Sequence, residues 1–315
     1  MIGRSAAFLE AIRLLAKFAA CDAPVVIEGE TGTGKEVAAR SIHYEGGRRD
    51  YPFIPVNCGA LPDSLIENEL FGHRRGAYTD ARSDFPGLLR LARGGTLFLD
   101  EIDALTSKGQ VTLLRFLQDQ HFRPLGGAEE ERADVRIVAA TNRPLAGLVR
   151  QGQFREDLLY RVKVMYLRLP PLRDRRGDPE LLAEHFVSRL SRRYRRPEKR
   201  FHPRTLQWLD RYRWPGNVRE LENVVAREFL LADGDEIVFS GDESTEPMEI
   251  DLPPGDGDYR ALRTRALAAF DTAFLRSILT RHGGNVTHAA RAAGRERRAF
   301  GRLLKKYGID PRDHA

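Results

Sequence analysis

The sequence has few cysteines and no long apolar segment, and each absence excludes a class of protein. Cys21 and Cys58 are too few for a disulfide framework, and no C-x-x-C pair indicates a zinc site. No run approaches the roughly 18 uncharged apolar residues of a membrane helix, and residues 1–5 lack the basic and then apolar order of a signal peptide. With 315 residues and 42% hydrophobic content, the chain is long enough for about two globular domains. We expect a reduced, cytoplasmic protein that does not enter a membrane.

Positive charge is concentrated at the end of the chain. Residues 257–315 hold 13 Lys and Arg against five Asp and Glu, a net charge of +8, whereas the whole chain carries +6. Residues 241–256, just before them, contain six acidic residues and no basic one. A basic end behind an acidic, proline-containing linker indicates a separate module that binds a polyanion. A solvated, arginine-rich helix pair would have the same composition.

A glycine-rich stretch near the start has the pattern of a phosphate site. The apolar run Val25-Val26-Ile27 is followed by Gly29-Glu30-Thr31-Gly32-Thr33-Gly34-Lys35, and a helical pattern begins at Glu36. In this order of strand, loop and helix, backbone N–H groups and the helix N-terminus surround phosphates, and the lysine reaches the β- and γ-phosphates. A tight turn with an exposed lysine would give the same pattern, so the rest of the chain must decide.

Further short apolar runs alternate with helical patterns. Strands are predicted at residues 25–27, 53–56, 96–99 and 135–140. This alternation predicts an α/β fold with a parallel sheet covered by helices on both faces. Ligands of such sheets bind at the carboxyl ends of the strands. Lys35, Asn57, Asp100 and Asn142 all follow strand ends, so we expect them to share one site.

The third predicted strand ends in two carboxylates. Asp100 supplies the oxygen ligand that Mg²⁺ prefers, and Glu101 is suited to activate an attacking water as a general base. Alone, this pair would be interpreted as a capped strand end, but a glycine loop about 65 residues earlier favours nucleotide hydrolysis. Glu36 stands where general P-loops have Ser or Thr, so the metal would depend more on Asp100, phosphate and water.

Two arginines are candidates for charge at the γ-phosphate. Phosphoryl transfer needs positive charge there, often from an arginine of another subunit. Arg155 and Arg161 lie nearly two helical turns apart, so they need not share one role. By composition alone they would be ordinary surface residues.

The strand pattern stops after Pro170-Pro171. Residues 178–232 have helical spacing, interrupted at Trp214-Pro215-Gly216-Asn217 before a helix that begins near Val218. This pattern is typical of a small all-helical subdomain.

The basic end has the pattern of a helix-turn-helix. Apolar residues recur every four positions from Leu262 to Ile278, a face suited to pairing with a second copy. His282-Gly283-Gly284-Asn285 supplies a glycine stop and an N-cap, and helices are predicted at 286–293 and 296–307. The basic side chains that can face a DNA groove and its phosphates are Arg295, Arg297, Arg298, Arg302 and Lys305. Arginine contacts both bases and phosphates, so which of them read bases stays open.

Together these motifs resemble the bacterial enhancer-binding proteins, the AAA+ ATPases that activate sigma-54 RNA polymerase. Glu36 after the lysine is usual in that family. The matching stretches are residues 29–36, 56–58, 69–73, 94–102, 139–142, 154–158, 169–173 and 214–221. The resemblance implies an AAA+ P-loop parallel sheet, a helical lid and a C-terminal, all-α, Fis-type helix-turn-helix domain.

The resemblance also implies a role for each matching residue of the sheet. The loop from Gly29 to Glu36 would hold the phosphates of ATP, with Asp100 serving Mg²⁺ and Glu101 activating water. Asn57 would restrain Glu101 as a switch, and Asn142 would sense the γ-phosphate.

Three arginines match residues that act on nucleotide in the family. Arg155 and Arg161 match fingers that reach the nucleotide of a neighbouring subunit, which implies a homo-oligomer, from dimer to hexameric ring. Arg219 matches the lid arginine that reads the bound nucleotide.

The family grips sigma-54 with a loop of sequence Gly-Ala-Phe-Thr-Gly-Ala. Here the loop is Gly76-Ala77-Tyr78-Thr79-Asp80-Ala81. Tyr78 keeps the aromatic ring, whereas Asp80 adds a charge and a Cβ that restricts any positive-φ backbone. We expect engagement of sigma-54 to persist, with Asp80 acting on the flexibility of the loop.

The leading hypothesis is an ATP-driven activator that remodels the sigma-54 RNA polymerase holoenzyme while bound to upstream double-stranded DNA. The alternatives are a DNA-binding regulator that keeps the AAA+ fold for assembly only, and an AAA+ machine that acts on another protein. The intact catalytic residues disfavour the first and the Tyr78-Thr79 pair disfavours the second. The predicted domains are 1–172 (AAA+ α/β ATPase), 173–240 (helical lid), 241–256 (acidic linker) and 257–315 (helix-turn-helix). Because the chain begins close to the ATPase core, we expect either a longer protein or control by a partner.

Overall fold

A computed structural model of the protein describes residues 1–62, 65–232, 234–239, 271–272, 274–280, 282–293, 295 and 297–310. The chain forms two compact units, Met1–Phe239 and Ser240–Ala315. The predicted acidic linker and the first apolar positions of the predicted tail helix, from Leu262 to Phe270, lie outside the described residues.

The first unit contains nine strands and ten α-helices within the described residues. The strands are β1 Val25–Glu28, β2 Phe53–Asn57, β3 Thr96–Asp100, β4 His121–Phe122, β5 Glu131–Arg132, β6 Arg136–Thr141, β7 Met165–Arg168, β8 Arg200–Phe201 and β9 Glu236–Ile237. The helices are α1 Ala6–Ala19, α2 Lys35–Tyr44, α3 Ile66–Phe71, α4 Leu88–Leu91, α5 Ser107–Asp119, α6 Leu145–Arg150, α7 Glu156–Val162, α8 Asp178–Tyr194, α9 Pro203–Arg211 and α10 Asn217–Leu231. Among the helices of the described residues, none is long and apolar enough to cross a bilayer.

Five parallel strands form the central sheet, in the order β2-β3-β6-β1-β7. Side chains of β3 alternate between two cores: Leu97 and Leu99 join one cluster, and Phe98 joins the other with Ile42 of α2 and Leu15 of α1. Period-2 alternation sends successive side chains to opposite faces, so both faces are covered. The predicted α/β fold with helices on both faces is confirmed.

The edge strand β7 was absent from the predicted strands. It pairs with β1, but only Leu167 of its four residues is buried, and Tyr166 and Arg168 are exposed. An edge strand with one buried side chain does not form the apolar run by which a central parallel strand is recognised.

Helices α8, α9 and α10 pack around Trp214, Leu209 and Phe229, none of which is exposed to solvent. The prediction that this part is all helical is wrong in one respect, because β8 and β9 form a two-residue parallel pair. Two residues are too few for a period-2 pattern to appear in the sequence.

A buried carboxylate joins the first residues of the chain to α8. Asp178 accepts hydrogen bonds from the backbone of Arg4 (2.6 Å) and Ser5 (3.0 Å), from Ser5 Oγ (2.9 Å) and from Arg175 Nε (2.9 Å). Burial alone would raise the pKa of Asp178, but these hydrogen bonds outweigh it and lower the pKa. The N-terminal segment is thereby held against the start of α8.

In the second unit, α11 spans Val286–Ala292 and α12 spans Arg297–Lys306, and residues 274–280 are also helical. Asn285 caps α11, because its Oδ1 accepts hydrogen bonds from the N–H groups two and three residues later. Gly283 and Gly284 precede it with φ of +54° and +71°. The small core contains Leu275, Leu279, Ala289, Ala290, Phe300, Leu304 and Ile309.

The predicted apolar face of the tail helix is shifted by one position. Leu275 and Leu279 are buried, whereas Phe274 is 42% exposed and Ile278 only partly covered. Residues 274 and 278 form one row along this helix, and residues 275 and 279 form the neighbouring row. Packing against α11 and α12 buries the second row rather than the first.

Candidate functional site

The glycine loop between β1 and α2 is tightly wound. Gly32 and Gly34 have φ of +79° and +97°, a region that other residues enter at a cost. Lys35 opens α2, and its ammonium donates to the backbone carbonyls of Gly29 (2.7 Å) and Glu30 (3.2 Å). The loop therefore curls around the lysine in front of a helix N-terminus, a geometry suited to phosphate.

The carboxylates at the end of β3 lie beside this loop. The Glu101 N–H donates to Asp100 Oδ1 (3.0 Å), and Glu101 takes a left-handed backbone with φ of +54°. Burial raises the pKa of Asp100, an effect opposed by the Glu101 N–H and by the charge of Lys35. Burial likewise lowers the pKa of Lys35, opposed first by Asp100. Each charge favours the ionised form of the other, so a carboxylate and an ammonium face the same space.

Two asparagines lie at the ends of the strands on either side of β3, Asn57 at the end of β2 and Asn142 just after β6. Asn142 Nδ2 lies 3.5 Å from Thr31 Oγ1 of the glycine loop, so the residue after β6 reaches the phosphate site as predicted from the strand order. Asn57 and Asp100 are partners across the β2–β3 pair. The Asn57 Oδ1 accepts from the Gly59 N–H (2.8 Å), and within the described ranges no hydrogen bond joins Asn57 to Glu101.

Gly59 is the residue between these two side chains. A Cβ on it would lie 3.0 Å from Glu101 Oε2 and 3.2 Å from Asn57 Oδ1. Any larger residue would therefore push on both the carboxylate and the amide. The sequence pattern did not single out this glycine, because its requirement arises from packing rather than from a local turn.

The two glutamates of the loop point away from the lysine. Glu36 bonds Arg40 one turn along α2, through Nε (3.0 Å) and Nη2 (2.8 Å). Glu30 forms a two-bond ion pair with Arg173, with distances of 2.8 Å and 2.5 Å. The hydrogen bond from Arg173 outweighs burial and, with help from Asn217, lowers the pKa of Glu30 to about 2.

The start of α10 closes on the glycine loop. The Val218 N–H donates to the Gly32 carbonyl (3.0 Å), and the Asn217 side chain donates to the Thr31 carbonyl (3.0 Å). Arg219 is exposed at this point, and its Cβ would lie 3.2 Å from a Cβ on Gly32. The lid arginine predicted from the resemblance thus lies next to the loop.

The two predicted finger arginines lie at opposite ends of α7, and both are exposed. Arg155 is the N-cap, and its backbone N–H donates to the buried Gln110 Oε1 (2.8 Å). Its guanidinium pairs with Asp157 at 3.0 Å and 2.6 Å. Arg161 lies in the last turn. Gln110, which no motif of the sequence marks, anchors the first of these arginines to α5.

The loop 76–81 stands on a hydrogen-bonded base. His73 and Phe85 exchange backbone hydrogen bonds of 2.9 Å each, and the Gly76 N–H donates to the Ala81 carbonyl (2.9 Å). Tyr78 is 44% exposed, with its ring edge-on to His73 at 5.1 Å. Thr79 and Asp80 are also exposed.

The backbone of this loop tolerates the aspartate. Among residues 76–81 only Gly76 has a positive φ, of +82°. The Cβ of Asp80 therefore meets no left-handed backbone, and the expected restriction at that position does not arise in this conformation. At Ala77 the loop touches Gly126 in the turn between β4 and β5, where an added Cβ would lie 2.8 Å from the Ala77 Cβ.

In the second unit the five predicted DNA-facing residues are all exposed. Four of them lie in α12, and Arg295 precedes it. The opposite face of α12 supplies Phe300 and Leu304 to the core. This segregation follows from the helical period, because apolar residues at three- and four-residue spacing leave the basic ones on the other side.

Two protein-family models match the chain over most of the first unit. Residues 1–168 match the family model described as the sigma-54 interaction domain, and residues 173–241 match the AAA+ ATPase lid domain. The chain belongs to the sigma-54-dependent transcription activators. It is therefore an AAA+ ATPase that uses ATP and Mg²⁺.

Several curated relatives of this family align over most of the chain. The "Regulatory protein AtoC" of Escherichia coli is 42% identical over 99% of this chain and 68% of its own length. The "Response regulator protein PilR" of Pseudomonas aeruginosa is 42% identical over 94% of the chain and 67% of its own length. The crystal structure of NtrX from Brucella abortus in complex with ATP is 32% identical over 98% of this chain and 69% of that one, with a TM-score of 0.70. The chain spans about two thirds of the length of these relatives.

The residues of the site fit the nucleotide and metal that the family uses. The α2 N-terminus and the glycine loop provide N–H groups, and Lys35 provides a cation in a partly buried position. Asp100 provides a carboxylate oxygen beside them, the ligand type that Mg²⁺ takes together with phosphate and water.

Proposed function

We propose that this sigma-54-dependent activator hydrolyses ATP in a homo-oligomeric ring and so drives the loop 76–81 against the sigma-54 RNA polymerase holoenzyme. The observation that carries the proposal is the exposed Tyr78-Thr79 pair on a braced loop. It stands in the same unit as a phosphate loop and paired carboxylates. The match of residues 1–168 to the sigma-54 interaction domain supports it.

In this proposal the residues at the carboxyl edge of the sheet have separate roles in ATP hydrolysis. The glycine loop and Lys35 hold the β- and γ-phosphates, and Glu101 takes the proton of the attacking water. Asp100 holds the metal, which when bound neutralises charge that develops on the phosphates. Asn142, already in reach of Thr31, contacts the γ-phosphate, and Asn57, across Gly59 from Glu101, restrains that carboxylate as a switch.

The arginines of α7 complete the site of a neighbouring subunit. Arg155 and Arg161 are exposed at the two ends of a helix that packs on α5. An arginine that enters from another subunit stabilises the charge of the transferring phosphoryl group. A homo-oligomer, from dimer to hexameric ring, makes hydrolysis depend on assembly. Arg219 in turn reads the nucleotide from the lid.

The second unit tethers the ring to upstream double-stranded DNA in the cytoplasm. Arg295 and the four predicted basic residues of α12 supply phosphate and base contacts. The concentrated positive charge of residues 257–315 supports this assignment.

A transcription assay with purified sigma-54 holoenzyme and ATP tests the proposal. We expect the unmodified protein to activate transcription, and Thr79→Ala to hydrolyse ATP at the normal rate without activating. Asp80→Gly is the matched control, because it alters the same loop without removing the aromatic-threonine pair and should activate at least as well.

Robust ATPase activity of the unmodified protein without activation would refute the proposal. It would instead favour an AAA+ machine that acts on another protein. Collapse of activation in Asp80→Gly would show that Asp80 itself makes a necessary contact.

A further inference from the structure

One buried asparagine connects three parts of the nucleotide site. Asn217 is fully buried and has a left-handed backbone with φ of +53°. Its Oδ1 accepts from the Leu172 N–H (2.8 Å), and its Nδ2 donates to the Thr31 carbonyl (3.0 Å) and to Glu30 Oε2 (3.2 Å). The side chain thus uses its oxygen toward the segment that leads into the lid and its nitrogen toward the glycine loop.

The conformation of Asn217 is unfavourable by itself. A left-handed backbone costs a residue with a Cβ roughly 1–2 kcal/mol, although asparagine tolerates it better than most residues. Trp214, three residues earlier, has a similar φ of +52° and is held by an indole hydrogen bond to the Leu209 carbonyl (2.9 Å). The turn before α10 is therefore maintained by its side-chain contacts, and at Asn217 those contacts all lead to the nucleotide loop and to Leu172.

The neighbours of Asn217 strengthen the connection. Arg173, next to Leu172, holds the Glu30 carboxylate that Asn217 also contacts. The Val218 N–H donates to the Gly32 carbonyl (3.0 Å). Arg219 follows directly, so its backbone position is fixed by the same contacts that shape the loop.

We propose that Asn217 is a positioning residue for ATP: it locks the first turn of α10 to the glycine loop, so that Arg219 is aimed at the phosphates. Asn217 itself touches backbone and Glu30, and its effect passes through the loop and Arg219. The inference rests on the role of Arg219 in the proposed function. It adds a residue that neither the sequence motif nor the family match assigns.

Asn217→Gly is the decisive variant, because glycine accepts the left-handed backbone and removes only the side-chain contacts. Loss of the two hydrogen bonds to the loop should raise the KM for ATP and the Kd for ADP about tenfold. Asn223→Gly is the matched control: it makes the same change at an exposed position of α10 and should lower stability without changing KM.

A double-mutant cycle between Asn217 and Arg219 distinguishes a positioning role of Asn217 from a merely structural one. If Asn217 acts through Arg219, Asn217→Gly should have little further effect on KM in an Arg219→Ala background, within about twofold. Asn217→Asp should bind ATP more weakly than Asn217→Gly, because it removes the donor and sets a second carboxylate beside Glu30.

Three results would overturn the inference. The first is an unchanged KM for ATP in Asn217→Gly. The second is a KM in the double variant, Asn217→Gly with Arg219→Ala, that increases by the product of the two single-variant factors. The third is an unchanged KM in Arg219→Ala, which would also remove Arg219 from the proposed site. Failure of sigma-54 activation with normal ATP binding would contradict the proposed function and leave this inference intact, so the two are separately testable.

Discussion

Replacing Gly32 by alanine measures how closely the lid approaches the glycine loop. Gly32 has φ of +79°, and a Cβ on it would lie well inside the 3.0 Å that real Cβ atoms keep, against the Gly216 carbonyl. Gly34 is the matched control in the same loop: its φ is +97°, but among the described residues, its own chain neighbours aside, no atom lies within 4 Å of its Cβ position. The two substitutions therefore share backbone strain and differ in the overlap.

The strain common to both variants is about 1–2 kcal/mol. In Gly32→Ala the loop must also move from α10, at the expense of the hydrogen bonds from Val218 to Gly32 and from Asn217 to Thr31. Two such bonds contribute about 1–3 kcal/mol together. For a unit of this size 1 kcal/mol corresponds to about 2–4 °C in Tm, so Gly32→Ala should melt about 2–12 °C below Gly34→Ala.

Thermal unfolding followed by circular dichroism without nucleotide provides the measurement, because a bound ligand would add its own stabilisation. The free protein and the two variants should be compared in the same buffer. Equal Tm values for Gly32→Ala and Gly34→Ala would show that the lid does not close on the loop as described.

Three further predictions concern other parts of the first unit. Asp178→Ala should lower the free energy of unfolding in urea by about 3–5 kcal/mol, because the charge of Arg175 stays buried without its partner. With 5,5′-dithiobis(2-nitrobenzoate) at pH 8, the folded protein should show one fast thiol, the exposed Cys21. Cys58 should react only after unfolding, because burial raises its pKa to about 12 and keeps reagent away. Glu101→Ala should bind ATP normally but turn over about 10²–10⁴-fold more slowly in a phosphate-release assay.

Each of these has an outcome that would contradict it. For the Asp178–Arg175 ion pair, the control is Glu36→Ala, which removes an exposed pair with Arg40. This control should change the free energy of unfolding by less than about 1 kcal/mol. Equal losses of stability in Asp178→Ala and Glu36→Ala would refute the argument from burial. Two fast thiols in the folded protein would show that the residues around Cys58 open readily. Normal turnover in the Glu101 variant would remove that carboxylate from its proposed role.

Much of the nucleotide site was predictable because its signals are local. The glycine loop, Lys35 and the Asp100-Glu101 pair each follow an apolar strand, and parallel strands bring their carboxyl ends to one edge. Asn142 reaches the loop for the same reason. The resemblance to the enhancer-binding proteins added Arg219 to the predicted site, and the structure places this residue beside Gly32.

What the pattern could not supply was contact between distant segments. Glu30 belongs to the predicted phosphate loop, yet its carboxylate pairs with Arg173, 143 residues later. Gln110, in α5, accepts a hydrogen bond from the backbone N–H of Arg155 at the start of α7. Such partners have no fixed spacing in the sequence, because only the packing of the lid and of α5 on the sheet brings them together.

Local sequence patterns specify the α/β class, the order of glycine loop, carboxylates and Asn142 along the chain, and the division into a sheet and a basic end. These follow from period-2 and period-3.6 patterns and from residues whose conformational preference is intrinsic, glycine above all. Tertiary packing is what adds β7 to the sheet, places Gly59 between Asn57 and Glu101, and joins the lid to the glycine loop through Asn217. The physical reason is that each depends on close packing between segments far apart in the chain, and at Asn217 one buried side chain satisfies several polar groups at once.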